Sequence, residues 1–132
     1  MGTHTFRHPP MILADTSVWV DHLRSRDPAM ERCLNSGQIV MHPFIVAEIA
    51  LGSLHNRRKR LGEMEALLEV RVAKLNEVRH MIEAHTLYSK GIGLTDAHLI
   101  ASCLLTLGTQ LWTRDGALKK VAKALGICVD LP

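Results

Sequence analysis

A four-residue apolar run, Met11–Ala14, ends on Asp15, and the residues that follow suit the start of a helix. The arrangement recurs at Gln110–Thr113, which leads through Arg114 to Asp115 and another helical stretch. Short apolar runs bounded by cap-forming side chains read as buried strands. Strands that alternate with helices build a parallel sheet, because the connection between two parallel strands must cross over a face. Gln38–Met41 reads as a further strand, Val70–Leu75 alternates as another, and Ile127–Val129 as a last. Between them lie helical segments over Asp15–Leu23, Asp27–Asn35, Phe44–Leu54 behind Pro43, and a charged amphipathic stretch ending near Val70. Further helices are predicted over Glu77–Ser89 capped by Asn76, from Thr95 or Asp96 to Gly108, and over Asp115–Leu125 closed by Gly126. The predicted fold class is α/β with a mainly parallel sheet. In such sheets ligand sites form beyond the carboxyl ends of the strands, where Asp15 and Asp115 stand.

The chain has 132 residues, enough for one domain with one core, and 47% of them are hydrophobic. The predicted domain runs from residue 11 to residue 132. The ten residues before it, MGTHTFRHPP, read as a leader, a cloning remnant or a wrong start, since the start-like Met11 opens the first apolar run. They lack the apolar core of a signal peptide, and no stretch approaches the ~20 apolar residues of a membrane span. Cys33, Cys103 and Cys128 are far apart and form no CxxC pair, which favours a reducing cytoplasm. The net charge of +3 is mild. It is concentrated in two runs, Arg57–Arg60 and Lys119, Lys120 and Lys123, either of which suits phosphate contact or a solvated helix face.

Four of the thirteen acids stand apart from the charged stretches: Asp15, Glu48, Asp96 and Asp115. Asp15, Asp96 and Asp115 each sit where a carboxylate caps or electrostatically favours a first helical turn. Glu48 lies in FIVAEIAL, a segment so apolar that the predicted helix is buried all round. A buried carboxylate needs a cationic partner, either an arginine or a metal. Taken together, the four suggest a cluster whose mutual repulsion a hard divalent cation would relieve. Mg²⁺ or Mn²⁺ takes oxygen ligands, and such an ion suits phosphodiester hydrolysis.

The segments DTSVWVDHL, VAEIALGSL, LTDAHLIAS and LWTRDGAL, in that order and at these separations, resemble the four signature segments of PIN domains, most closely those of VapC toxins. The resemblance spans Met11–Leu131. It implies a PIN-like three-layer α/β/α sandwich and a cytoplasmic endoribonuclease that needs Mg²⁺ or Mn²⁺. The metal would be held by Asp15, Glu48, Asp96 and Asp115, with Thr16 or Ser17 and Thr113 nearby to orient waters or a carboxylate. It further implies RNA as substrate, a homodimer, and neutralisation by a small antitoxin through which the complex binds operator DNA. A PIN-like module that binds RNA or a partner without cutting is the alternative reading.

Other chemistries lack their patterns. The eight histidines include no HExxH, Ser17 has no G-x-S-x-G elbow, and Gly91-Ile92-Gly93 lacks the third glycine of a dinucleotide loop. A phosphotransfer domain with Asp15 as nucleophile would carry a second aspartate at position 17, which is serine. Arg114 reads either as a contact to the scissile phosphate or as a salt bridge. Trp19 and Trp112 read as core residues or as RNA-stacking rings. Leu61, Met64, Leu67 and Leu68 form an apolar stripe suited to a dimer or an antitoxin helix.

Overall fold

The structure, a computed structural model, describes residues 9–132. The proposed leader thus falls largely outside the described residues. The elements run β1 (Met11–Ala14), α1 (Thr16–Ser25), α2 (Pro28–Asn35), β2 (Ile39–Val40), α3 (Pro43–Ala50), α4 (Arg57–Glu65), α5 (Leu75–Ala84), α6 (Leu94–Leu105), β3 (Thr109–Trp112) and α7 (Gly116–Ala124). The first strand is the middle of the sheet. It pairs in parallel with β2, Leu13 opposite Val40, and with β3, Ala14 opposite Trp112. Ile12, Leu13 and Ala14 are all buried, as a parallel strand covered on both faces requires. The result is the α/β/α architecture expected from the sequence.

Two predicted strands do not form. Val70–Leu75 keeps a single bridge, Met41 to Glu69, with Val70 donating to the Met41 carbonyl at 2.9 Å. The chain then leaves the sheet edge, and the Arg71 N–H turns to the Thr106 hydroxyl. Ile127–Val129 likewise pairs only through Cys128 and Leu111. Gly126 adopts φ +72°, which ends α7 and returns the chain to that edge. Both segments extend the sheet by an isolated bridge rather than by a ladder.

Helix ends also shift. The third helix stops at Ala50 rather than Leu54, because Arg57 folds back onto the carbonyls of Ala50 (2.6 Å) and Gly52 (3.2 Å). The fifth begins at Leu75, ahead of Asn76, with the Glu77 carboxylate accepting from the Lys74 N–H at 2.8 Å. It stops at Ala84 rather than Ser89, and the positive φ of Thr86 and of Ser89 marks the irregular turn beyond. No helix among the described residues is long and apolar enough to cross a membrane.

Two buried histidines lie close together in the core. His42 is fully buried and caps α3, its Nδ1 accepting from the Phe44 N–H at 3.0 Å. Its ring lies 6.2 Å from that of His98 on α6, with Phe44 packed on both. Burial pushes the His42 pKa down to about 4, with the neighbouring His98 adding to the effect. Unfolded, the imidazole takes a proton near pH 6.5, so the unfolded state binds more protons and stability falls as pH drops through that range. This contribution is expected to reach about 3 kcal/mol below pH 4 and about 2 kcal/mol at pH 5. Urea melts at pH 7 and pH 5 test it. His42→Asn keeps a capping side chain and should lose less stability over that interval than the wild type; an equal loss would remove His42 as its source.

Candidate acidic site

Asp15 follows the carboxyl end of β1 and caps α1. Its backbone N–H continues the ladder to the Trp112 carbonyl at 2.9 Å. Its side chain is buried and gathers four donors. Oδ1 accepts from the Ser17 hydroxyl, from the Ser17 N–H at 3.0 Å and from the Val18 N–H at 3.4 Å. Oδ2 accepts from the hydroxyl of Thr113, just past the end of β3. Those hydroxyls are held in turn: Ser17 Oγ accepts from the Arg114 N–H, and Thr113 Oγ1 from the Asp115 N–H, each at 3.0 Å. Donors on both oxygens fix the direction of the carboxylate. Two short backbone segments, 15–17 and 113–115, are thus tied together across adjacent strand ends. Thr16 is the first residue of α1, and among the described residues its hydroxyl bonds to none of the acids.

The other three acids come from three separate helices. Asp115 caps α7 and accepts from the Leu118 N–H at 3.2 Å. Asp96 lies in the first turn of α6 and accepts from the Gly93 N–H at 3.3 Å. Burial pushes the Asp96 carboxyl above its ordinary pKa; the Gly93 N–H works against that, and the charges of Asp15, Asp115 and Glu48 add to the rise. All four acids therefore share one electrostatic neighbourhood. Glu48 corrects the sequence reading: it is exposed rather than buried. The third helix buries Ile45 and Ile49 and turns its other side outward, so Glu48 lines an open cavity of about 300 Å³ with Val20, Arg24 and His55. The apolarity of FIVAEIAL comes partly from surface residues, its last residue Leu51 being 87% exposed.

The four carboxylates do not meet in one cluster. Among the described residues, no three acidic, histidine or cysteine side chains stand close enough to hold an ion together. Asp15, Asp96 and Asp115 each spend an oxygen on a local backbone N–H. The donor set is nonetheless all oxygen, anionic and mutually repelling, which fits a hard divalent cation and no softer one.

Arg114 also departs from the reading of a phosphate contact. Its guanidinium pairs with Asp21 at 2.8 Å and Asp27 at 2.7 Å, its Nε donates to the Pro132 carbonyl at 3.0 Å, and it lies 5.3 Å from the Trp112 ring. Only its backbone N–H serves the acidic site. Asp27, the cap of α2, is opposed by burial, but the Met30 N–H and Arg114 outweigh that and hold its pKa below the ordinary value. Nothing in the sequence singles out Asp21 or Asp27 as its partners; Asp27-Pro28 signals a cap, and a cap can hold a second partner on its free oxygen. Trp19 and Trp112, at 3% and 1% exposure, are core residues and offer no face for stacking. Arg114→Ala removes both ion pairs and strands a half-buried Asp27, and is expected to cost about 1–3 kcal/mol, below the figure for fully buried pairs. A change under about 0.5 kcal/mol in a urea melt, the usual range for unimportant surface sites, would show that the clamp contributes nothing.

The PIN domain pattern matches residues 12–124 of this chain. Ribonuclease VapC32 of Mycobacterium tuberculosis strain CDC 1551 / Oshkosh is 36% identical over 119 residues, which cover 90% of this chain and 96% of that protein. The protein of the same name from strain H37Rv matches to the same extent. The match begins at the strand that ends on Asp15 and runs to the end of the helix that Asp115 caps, so it takes in every element around the acidic space. The chain belongs to the PIN domain family, among proteins of the VapC type.

Proposed function

We propose that this chain is an Mg²⁺- or Mn²⁺-dependent endoribonuclease that hydrolyses RNA phosphodiesters, and that it is the toxin half of a toxin–antitoxin pair. The observation that carries the reading is the buried Asp15 carboxylate, held by the Ser17 and Thr113 hydroxyls at the joined strand ends where Asp115 opens the next helix. The relatives named ribonuclease match the chain over all of these elements. Asp15, Glu48, Asp96 and Asp115 would hold the metal. When bound, such an ion supplies a water of lowered pKa and positive charge against the phosphate oxygens. Ser17 and Thr113 hold the Asp15 carboxylate in a fixed direction by donating to both of its oxygens. The Asp115 N–H holds the Thr113 hydroxyl so that its hydrogen points to Asp15. Burial raises the Asp96 pKa, and a neighbouring cation would favour its charged form.

The partners follow from the same reading. A small antitoxin would silence the site by placing a tail in the acidic space, and operator DNA would be reached through that antitoxin. A second copy of the chain would cover the apolar hollow between Leu75, Ile82 and Leu94, where Leu75 is 63% and Leu94 57% exposed. Three free cysteines suit a reducing cytoplasm.

RNA cleavage with Mn²⁺ or Mg²⁺ should disappear in chelator and return with the metal. Asp96→Asn should reduce it at least a hundredfold with the fold retained by circular dichroism. Metal-independent cleavage, or full activity in this variant, would end the proposal, and RNA binding without cleavage would point to a non-cutting module. A second expectation concerns Glu48. Because it is exposed, Glu48→Gln should leave the metal-free melting temperature within about 2 °C, the scale of a neutral surface change. Binding of Mn²⁺ to the folded state raises the wild-type melting temperature by linkage, and this variant should show a smaller rise. An undiminished rise would take Glu48 out of the metal's ligand set.

A further inference from the structure

A cavity of about 640 Å³ lies apart from the four acids. It lies between the last turn of α1, α2 and α4, with Trp19, Leu34 and Met64 among its wall residues. Its rim carries Arg24, Arg26, Lys59 and Arg60 against Glu31 and Glu63. Arg26 is paired with Glu31 at 2.7 Å, and Arg60 donates to the Leu23 carbonyl. Arg24 and Lys59 have no ion pair among the described residues. Leu23 and Arg24 also line the smaller cavity that holds Glu48. The two hollows thus share Leu23 and Arg24 on their walls, and together they are called the trough, with Glu48 in the smaller part and the unpaired Lys59 in the larger.

The helix that forms the far bank opens in an unfavourable way. Arg57, Arg58, Lys59 and Arg60 fill its first turn, where the helix dipole repels cations. Asn56 precedes them at φ 54° and its side chain caps nothing. Local stability would favour an acid or a capping side chain here. Arg57 and Arg60 have structural bonds to carbonyls, while Arg58 and Lys59 have none that would compensate. A polyanion lying along the trough would supply the missing negative charge.

We infer that this trough carries the single strand of RNA that flanks the scissile phosphodiester, its phosphates held by Arg24 and Lys59. The inference rests on the ribonuclease reading, because only a substrate cut at the acids must extend past Glu48. Backbone contacts of this kind position a strand without reading its sequence. They would make affinity depend on salt more steeply than the acidic site alone could.

The test uses a fluorescent single-stranded RNA and the full chain. Affinity is measured by anisotropy in EDTA over a range of salt, and cleavage is measured separately with Mn²⁺. Arg24→Ala with Lys59→Ala should weaken binding roughly tenfold or more and lower the slope of log affinity against log salt by about 0.7 for each phosphate no longer neutralised. Lys120→Ala with Lys123→Ala removes the same charge from α7 and should change neither, provided both double variants melt like the wild type. If the wild type cleaves RNA and the trough variant binds and cuts it equally well, the trough assignment is wrong and the ribonuclease reading stands. If both double variants weaken binding alike, general charge attraction replaces the trough. If the trough variant loses only its response to an inhibitory protein, the trough belongs to that protein. If the wild type neither binds nor cuts RNA with Mn²⁺, the parent reading fails and this one with it.

Discussion

Ala14 and Trp112 stand side by side at the ends of two parallel strands, and the next residues of each strand meet. The Asp15 N–H reaches the Trp112 carbonyl, and the Thr113 hydroxyl reaches the Asp15 carboxylate. In a parallel pair both chains leave the sheet in the same direction, so two helix starts open on one edge. A one-residue slip between β1 and β3 would exchange the faces and carry Thr113 away from Asp15. Full burial of Leu13, Leu111 and Trp112 makes that slip costly. The core thus sets the register, and the register sets the site.

The same edge gathers charge. Asp15 and Asp115 cap helices there, and Asp96 sits in the first turn of another. Each carboxylate is locally favourable, since the positive end of a helix and its free N–H groups attract it. Burial raises the Asp96 pKa first, and the charges of Asp15, Asp115 and Glu48 add to that rise. Local capping therefore stabilises the individual acids while the set repels itself. Arg114 marks the limit of the negative region. Its guanidinium turns toward Asp21 and Asp27, so its positive charge stabilises the outer wall and leaves the inner space acidic.

The central strands and the capping acids were legible because each has a signal confined to a few residues: an apolar run, then Asp, then a helical period. The first strand is predicted residue for residue, and Asp15, Asp27 and Asp115 all cap where expected. The edge segments were not legible. Val70–Leu75 alternates as a strand does, but whether it pairs depends on what lies beside it. Met41 offers it one bridge before Thr106 draws Arg71 away. Glu48 failed for a related reason. Hydropathy counts apolar residues, and it cannot tell a helix that is covered from one whose apolar side borders an open trough. The Arg114 clamp joins residues 93 positions apart, from Arg114 to Asp21, and no local pattern announces a pair of that separation.

Glu48 and Arg24 give the two halves of this surface their connection. Both line the small cavity, and Arg24 lines the larger, cation-rimmed one as well. A substrate with alternating demands, a cation-bridged phosphate at one point and bare phosphates beyond it, needs such a change of sign over a short path. A uniformly basic surface would neutralise the metal ligands, and a uniformly acidic one would repel the strand. The scaffold separates the signs by helix position. Acids occupy the helix starts that face the carboxyl edge of the sheet, where the helix dipole welcomes them. The cations occupy the last turn of α1, where the dipole also favours them, and the first turn of α4, where it does not. Arg24 thus costs the fold little, and Lys59 stands where helix stability alone would place an acid.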